Sequence, residues 1–176
     1  MEFSFTREIR VPVGDPSVAM IRIEKFLPIN IGDIAPELAG ATLDGKEIRL
    51  ADLRGKVVLL DFWATWCAPC LAELPNLRRA YDKYSAEGKL VVIGISLDDD
   101  LEGVRSFVKE RGIPWPLMVG GPAESNLVAK AYNVSGVPAT FLIGPDGKVV
   151  AKDLTGQTLH DELAKLFPAV AQALPK

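Results

Sequence analysis

Residues 56–70 read KVVLLDFWATWCAPC. The first nine form a near-continuous apolar run, rich in valine and leucine and broken only by Asp61. Such a run suits a strand buried on both faces, the place of a central strand in a parallel sheet. The segment then ends in two cysteines, Cys67 and Cys70, with two residues between them. They are the only cysteines in a chain of 176 residues.

Working outward, residues 67 to about 86 predict a helix, because Leu71, Leu74, Leu77, Tyr81 and Tyr84 recur at helical spacing. Pro75 lies inside it and is expected to kink it. Residues 90–96, LVVIGIS, read as a second buried strand, so this span is a strand–helix–strand unit with an expected right-handed crossover. Asp98, Asp99 and Asp100 follow. Three adjacent carboxylates raise the idea of a cation site, but no further oxygen-ligand spacing continues it. They read better as a solvated loop that caps the next helix, 101–111. Another helix is expected over 124–132, ended by Asn133. Residues 139–143 read as a strand, 144–147 (GPDG) as a hairpin turn in which proline presets one dihedral and glycine takes the positive one, and 148–153 as the return strand. Thr158 is placed as the cap of a last helix from 159 towards 174, bent or broken at Pro168. Upstream, Gly45 marks a turn and 47–50 a short strand. Residues 1–31 differ in character: short alternating apolar stretches around a GDPS turn read as a β-hairpin extension or the tail of an upstream domain. Residues 32–176 then form one domain.

Composition narrows the function. Apolar residues make up 48% and charged residues 24%, enough to build a real core. A chain of this size needs no disulfide staples, so the cysteines require another explanation. The net charge is −3, and no basic run exceeds Arg78-Arg79, which argues against nucleic acid. No apolar run reaches membrane-spanning length. The opening MEFSFTREIR is not a signal peptide. The protein is therefore cytoplasmic, or it is extracytoplasmic with a leader removed.

Three explanations compete for Cys67 and Cys70. A pair at this spacing does not read as mere core filling. A structural zinc site wants four Cys or His ligands, and only His160 is left, which reads as a surface residue of the last helix. A redox pair fits a Cys-x-x-Cys beside a strand–helix–strand unit. At the head of a helix, the Cys67 thiolate would face unpaired N–H groups and the positive end of the dipole, which lowers its pKa. Cys70, one turn inside, is expected to be less exposed, and Pro69 stiffens the turn at little cost. Cys67 would attack a substrate disulfide, and Cys70 would resolve the mixed disulfide. Cys70 must lose its proton. Asp61, flanked by Leu59, Leu60, Phe62 and Trp63, is one candidate base, with its pKa raised by burial. Glu73, three residues after Cys70 on the same helix, is the other.

The segments DFWATWCAPC (61–70), ELP (73–75) and GVPATF (136–141) together resemble the thioredoxin-fold thiol–disulfide oxidoreductases of the TlpA/ResA-like branch, often labelled AhpC/TSA or Redoxin. The similarity spans roughly residues 31–167. It implies an α/β fold, a central mixed β-sheet flanked by helices, with residues 98–132 as an inserted helix, a short strand near 115–119 and a second helix. It implies a cis Pro138 opposite the cysteines, and substrate contact by Trp66, Ala68, Pro69, Val137 and Pro138, whereas Trp63 is core. Asp61 matches the buried acid of thioredoxins and Glu73 the acid of ResA-like proteins; having both departs from either pattern. The resemblance implies protein substrates carrying disulfides or dithiols, an upstream thiol electron donor, and no cofactor or metal beyond the cysteine pair. By analogy the chain is a reductant in the periplasm or cell envelope. A peroxiredoxin-type peroxidase is the enzymatic alternative, but its threonine lies three residues before the reactive cysteine, and here Ala64 holds that place. A non-catalytic thioredoxin-fold binding module is the other alternative, disfavoured because both cysteines are kept.

Overall fold

The computed structural model describes residues 28–86, 88–123 and 125–168. The hairpin expected in the N-terminal extension lies outside them, but for residues 28–31. A five-stranded sheet organises the rest, in the order β5-β4-β3-β6-β7. At its centre is β3 (Val57–Trp63), buried along its whole length. On one side β4 (Leu90–Ser96) runs parallel to β3, and β5 (Leu117–Val119) parallel to β4. On the other side β6 (Ala139–Ile143) pairs antiparallel with β3, and β7 (Val149–Lys152) antiparallel with β6. A small hairpin of β1 (Ala39–Ala41) and β2 (Glu47–Arg49) and a 3₁₀ turn at Leu50–Leu53 precede them.

The two-residue period of β3 explains the layers. Val57, Leu59 and Trp63 face a core shared with Leu77, Ala80 and Tyr84 of α1 (Ala68–Tyr84), Val104 of α2 (Leu101–Arg111), and Leu159 and Leu163 of α4 (Gly156–Leu166). Val58, Leu60 and Phe62 face the opposite core, with Val128 and Ala129 of α3 (Leu127–Ala131), Tyr132 and Phe141. Phe62, Tyr132 and Phe141 meet there edge to face or tilted, with centroids 5.0–5.9 Å apart.

Several boundaries differ from the sequence expectation. Cys67 is not the first helical residue but the N-cap of α1, while Pro75 lies inside the helix as expected. The third helix is shorter than 124–132, because the Asn126 side chain accepts from the Ala129 N–H and starts it there. Asn133 follows its end with φ +53°, as a helix terminator does. Thr155, not Thr158, is the N-cap of α4; Thr158 is its third helical residue, accepting from the Thr155 N–H at 3.1 Å. That helix stops at Leu166, just before Pro168. The turn at 144–147 forms as read: the Gly147 N–H donates to the Gly144 carbonyl at 2.8 Å, and Gly147 takes φ +79°.

Candidate active site

The site begins where β3 gives way to α1. Cys67 caps the helix, its sulfur accepting the Cys70 N–H at 3.2 Å. Ala68 and Pro69 form the exposed first two helical positions, where a missing proline N–H is harmless. Cys67 and Cys70 are joined in a disulfide, with Cα atoms 5.3 Å apart. Both residues are 4% exposed, so residue burial does not separate them as the sequence reading expected. Trp66, one residue before the pair, is 67% exposed, whereas Trp63 is core.

Asp61 sits under this turn. It lies between Leu59 and Trp63 at the strand period and so faces the core that holds both cysteines. Its carboxyl is buried. Loss of water, and next the negative charge of Glu73, push its pKa up to about 7. Glu73 is half-buried and held: its Oε2 accepts the Gly156 N–H at 2.7 Å and the Asn76 side-chain N–H at 3.0 Å. The Glu73 charge thus acts on Asp61, the other acid singled out in the sequence. The Val137–Pro138 peptide bond is cis, and Val137 packs against both cores, one of which contains the cysteines. Pro138 lines a cleft of about 230 Å³ with Asn133, Ser135 and Asp153.

One residue beside the site departs from the sequence expectation. Asp98 is no solvated loop residue; it is 5% exposed. Its carboxylate accepts the Thr65 N–H at 3.0 Å, the Thr65 hydroxyl at 2.6 Å and the Ser96 hydroxyl at 2.7 Å. It therefore ties the end of β4 to the loop carrying Trp66 and Cys67. The aspartate triplet was the only signal, and Asp100 alone follows the helix-cap expectation, accepting the Gly103 N–H at 3.0 Å. His160 is also less exposed than expected. It is half-buried, and its Nε2 has no hydrogen-bond partner among the described residues. Desolvation, then Arg79 and Lys83, hold its pKa below the usual value. Among the described residues no cluster of three or more His, Cys, Asp or Glu gathers to hold a metal ion.

A thioredoxin fold with a disulfide-forming pair at the head of its first long helix defines a thiol–disulfide oxidoreductase. The chain belongs to the AhpC/TSA family, whose model matches residues 31–152. It is similar to the thiol–disulfide oxidoreductase ResA of Bacillus cereus, 37% identical over 143 residues that cover 80% of each chain. The Bacillus subtilis ResA is 34% identical over 80% of this chain and 78% of its own. Among solved structures, the thioredoxin domain of a thiol–disulfide oxidoreductase from Bacteroides vulgatus superposes with a TM-score of 0.71 at 30% identity, covering 78% of this chain and 98% of that one.

Proposed function

We propose that the protein reduces disulfides in protein substrates, with Cys67 as nucleophile and Cys70 as resolving thiol. The observation that carries this reading is the Cys67–Cys70 disulfide at the α1 N-terminus with buried Asp61 on the same side of the sheet. In the reduced protein, the Cys67 thiolate attacks a substrate disulfide and expels one substrate thiolate. Asp61 takes the Cys70 proton. The Cys70 thiolate then attacks Cys67, releasing the second substrate thiolate and leaving the protein oxidised by two electrons. An upstream dithiol donor returns the two electrons. With a pKa near neutrality, Asp61 accepts and releases a proton at small cost. Glu73, committed to Gly156 and Asn76, acts as its charged neighbour rather than as a free base.

Exposed Trp66, Ala68 and Pro69 and the Val137–Pro138 segment supply the docking surface, with the backbone at Val137 pairing with the substrate chain. The family resemblance supports the periplasm or cell envelope as the compartment. Among the described residues no helix is long and apolar enough to cross a membrane. The peroxidase alternative finds no support in the Thr65 hydroxyl, which is engaged by Asp98.

The test is the reduction potential, by equilibration in glutathione or dithiothreitol buffers with trapping of the thiols. A value near roughly −270 mV, thioredoxin-like, is expected of a reductant. A value near roughly −120 mV would make the protein an oxidant and overturn the direction of electron flow. In the same experiment Cys70→Ser should accumulate a mixed disulfide through Cys67, and Cys67→Ser should accumulate none.

A further inference from the structure

We propose that Asn76 is a positioning residue: it fixes the Glu73 carboxylate between α1 and the first turn of α4, and so sets the pH range over which Asp61 takes and releases its proton. The inference rests on Asp61 as the proton acceptor for Cys70.

The geometry is a chain of hydrogen bonds ending on one oxygen. The Arg79 guanidinium donates to Asn76 Oδ1, three residues back along α1. With its carbonyl end occupied, the amide can present only its NH₂ end to Glu73. That end donates to Glu73 Oε2 at 3.0 Å. The same oxygen accepts the N–H of Gly156, the first residue of α4, at 2.7 Å. This N–H is one of the donors that a helix start leaves without an internal partner. Gly156 has φ +48°, and a Cβ built on it would lie 3.8 Å from Asn76 Nδ2, so amide and helix start are immediate neighbours. Two donors from two helices therefore converge on Oε2, and one of them is oriented by a third residue.

The position of this carboxylate matters because of what surrounds it. Asp61 lies on the side of β3 that faces the core under α1 and α4, the two helices between which Glu73 is held, and the Glu73 charge adds to burial in raising its pKa. Arg79 and Lys83 of α1 and Asp161 of α4 surround His160, to whose field Glu73 also contributes. Held by Asn76 and Gly156, the Glu73 carboxylate keeps one place between the two helices. Freed from Asn76, it retains one tether and gains access to water, where screening weakens its action.

The experiment follows the carboxyl carbon signal of Asp61 by NMR across pH in the full-length oxidised protein. Four forms are compared: wild type, Asn76→Ala, Glu73→Gln and the double variant. Wild type is expected to titrate at about 7. Glu73→Gln should lower the midpoint by roughly one pH unit, the scale of a nearby like charge. Asn76→Ala should lower it by part of that, and should add nothing in the Glu73→Gln background. An Asn76→Ala midpoint equal to wild type, or a shift that adds fully to that of Glu73→Gln, overturns the proposal. A loss of stability alone does not move the midpoint, so a merely structural Asn76 gives the first of these overturning results. The exchange rate of reduced Asp61→Asn with oxidised glutathione separates the underlying reading. If that rate matches wild type between pH 6 and 8, Asp61 is not the acceptor and the inference falls with it. If the rate drops while Asn76→Ala leaves the midpoint in place, only the role of Asn76 is wrong.

Discussion

Asp61 carries a cost that the protein meets at every pH above the acid range. Its carboxyl titrates at 3.8 in an open chain and at about 7 in the fold. Between those values the unfolded chain is ionised while the folded one still holds its proton. The folded state then binds more protons, so stability falls as pH rises through this window and levels off above it. Well below pH 3.8 both states are protonated and the penalty vanishes. Asp61→Asn keeps a neutral group of similar shape and escapes the loss. Urea unfolding of the oxidised variant should show a gain of roughly 2–4 kcal/mol at pH 8, and far less at pH 4. An equal gain at both values would mean that ionisation is not the cause. The burial of this acid was legible from its flanks in VVLLDFW, because strand residues with apolar neighbours on both sides have nowhere else to point. The hold on Glu73 was not legible, since its second donor, Gly156, lies 83 residues away.

At the scale of elements, two aspartates two residues apart do different work. Asp100 caps α2, so Asp100→Ala should cost about 1 kcal/mol and leave disulfide exchange unchanged. Asp98 satisfies the Thr65 N–H and two hydroxyls inside the protein. Asp98→Ala should cost about 1–3 kcal/mol, by stranding those donors. It should also slow exchange, because Thr65 leads directly into Trp66 and Cys67. Thermal unfolding and the rate with oxidised glutathione check both halves; a normal rate in Asp98→Ala would confine its role to folding. The strands β3 and β4 and the helix α2 were readable because periodicity and caps are local signals. The ends of α3 and α4 were less so. There the choice fell to Asn126 and Thr155 among several polar residues that all suit a cap. In the same way, a run of three aspartates does not say which one turns inward. That depended on Thr65, which only the fold brings close.

Across the whole molecule, the central strand serves two cores at once. Leu59 belongs to the core under α1 and α4, and Leu60 to the core under α3, and neither is exposed. Leu59→Ala and Leu60→Ala should each cost about 2–5 kcal/mol, measured by urea unfolding at one pH. A sheet covered on one side only would make one of the pair cheap. The near-continuous apolar run announced this two-sided burial in the sequence. In the residues themselves the antiparallel half of the sheet was signalled by the GPDG turn, and beyond that by the family resemblance, since pairing of β6 with β3 joins segments about 80 residues apart.

The unequal burial of the tryptophans has an optical consequence. Trp63 and Trp115 are enclosed, while Trp66 stands in solvent one residue from Cys67. An indole beside a disulfide loses its fluorescence to the sulfurs and regains it when they part. Reduction of the Cys67–Cys70 bond is therefore expected to raise tryptophan emission, and an emission unchanged by dithiothreitol would show that no indole touches the sulfurs.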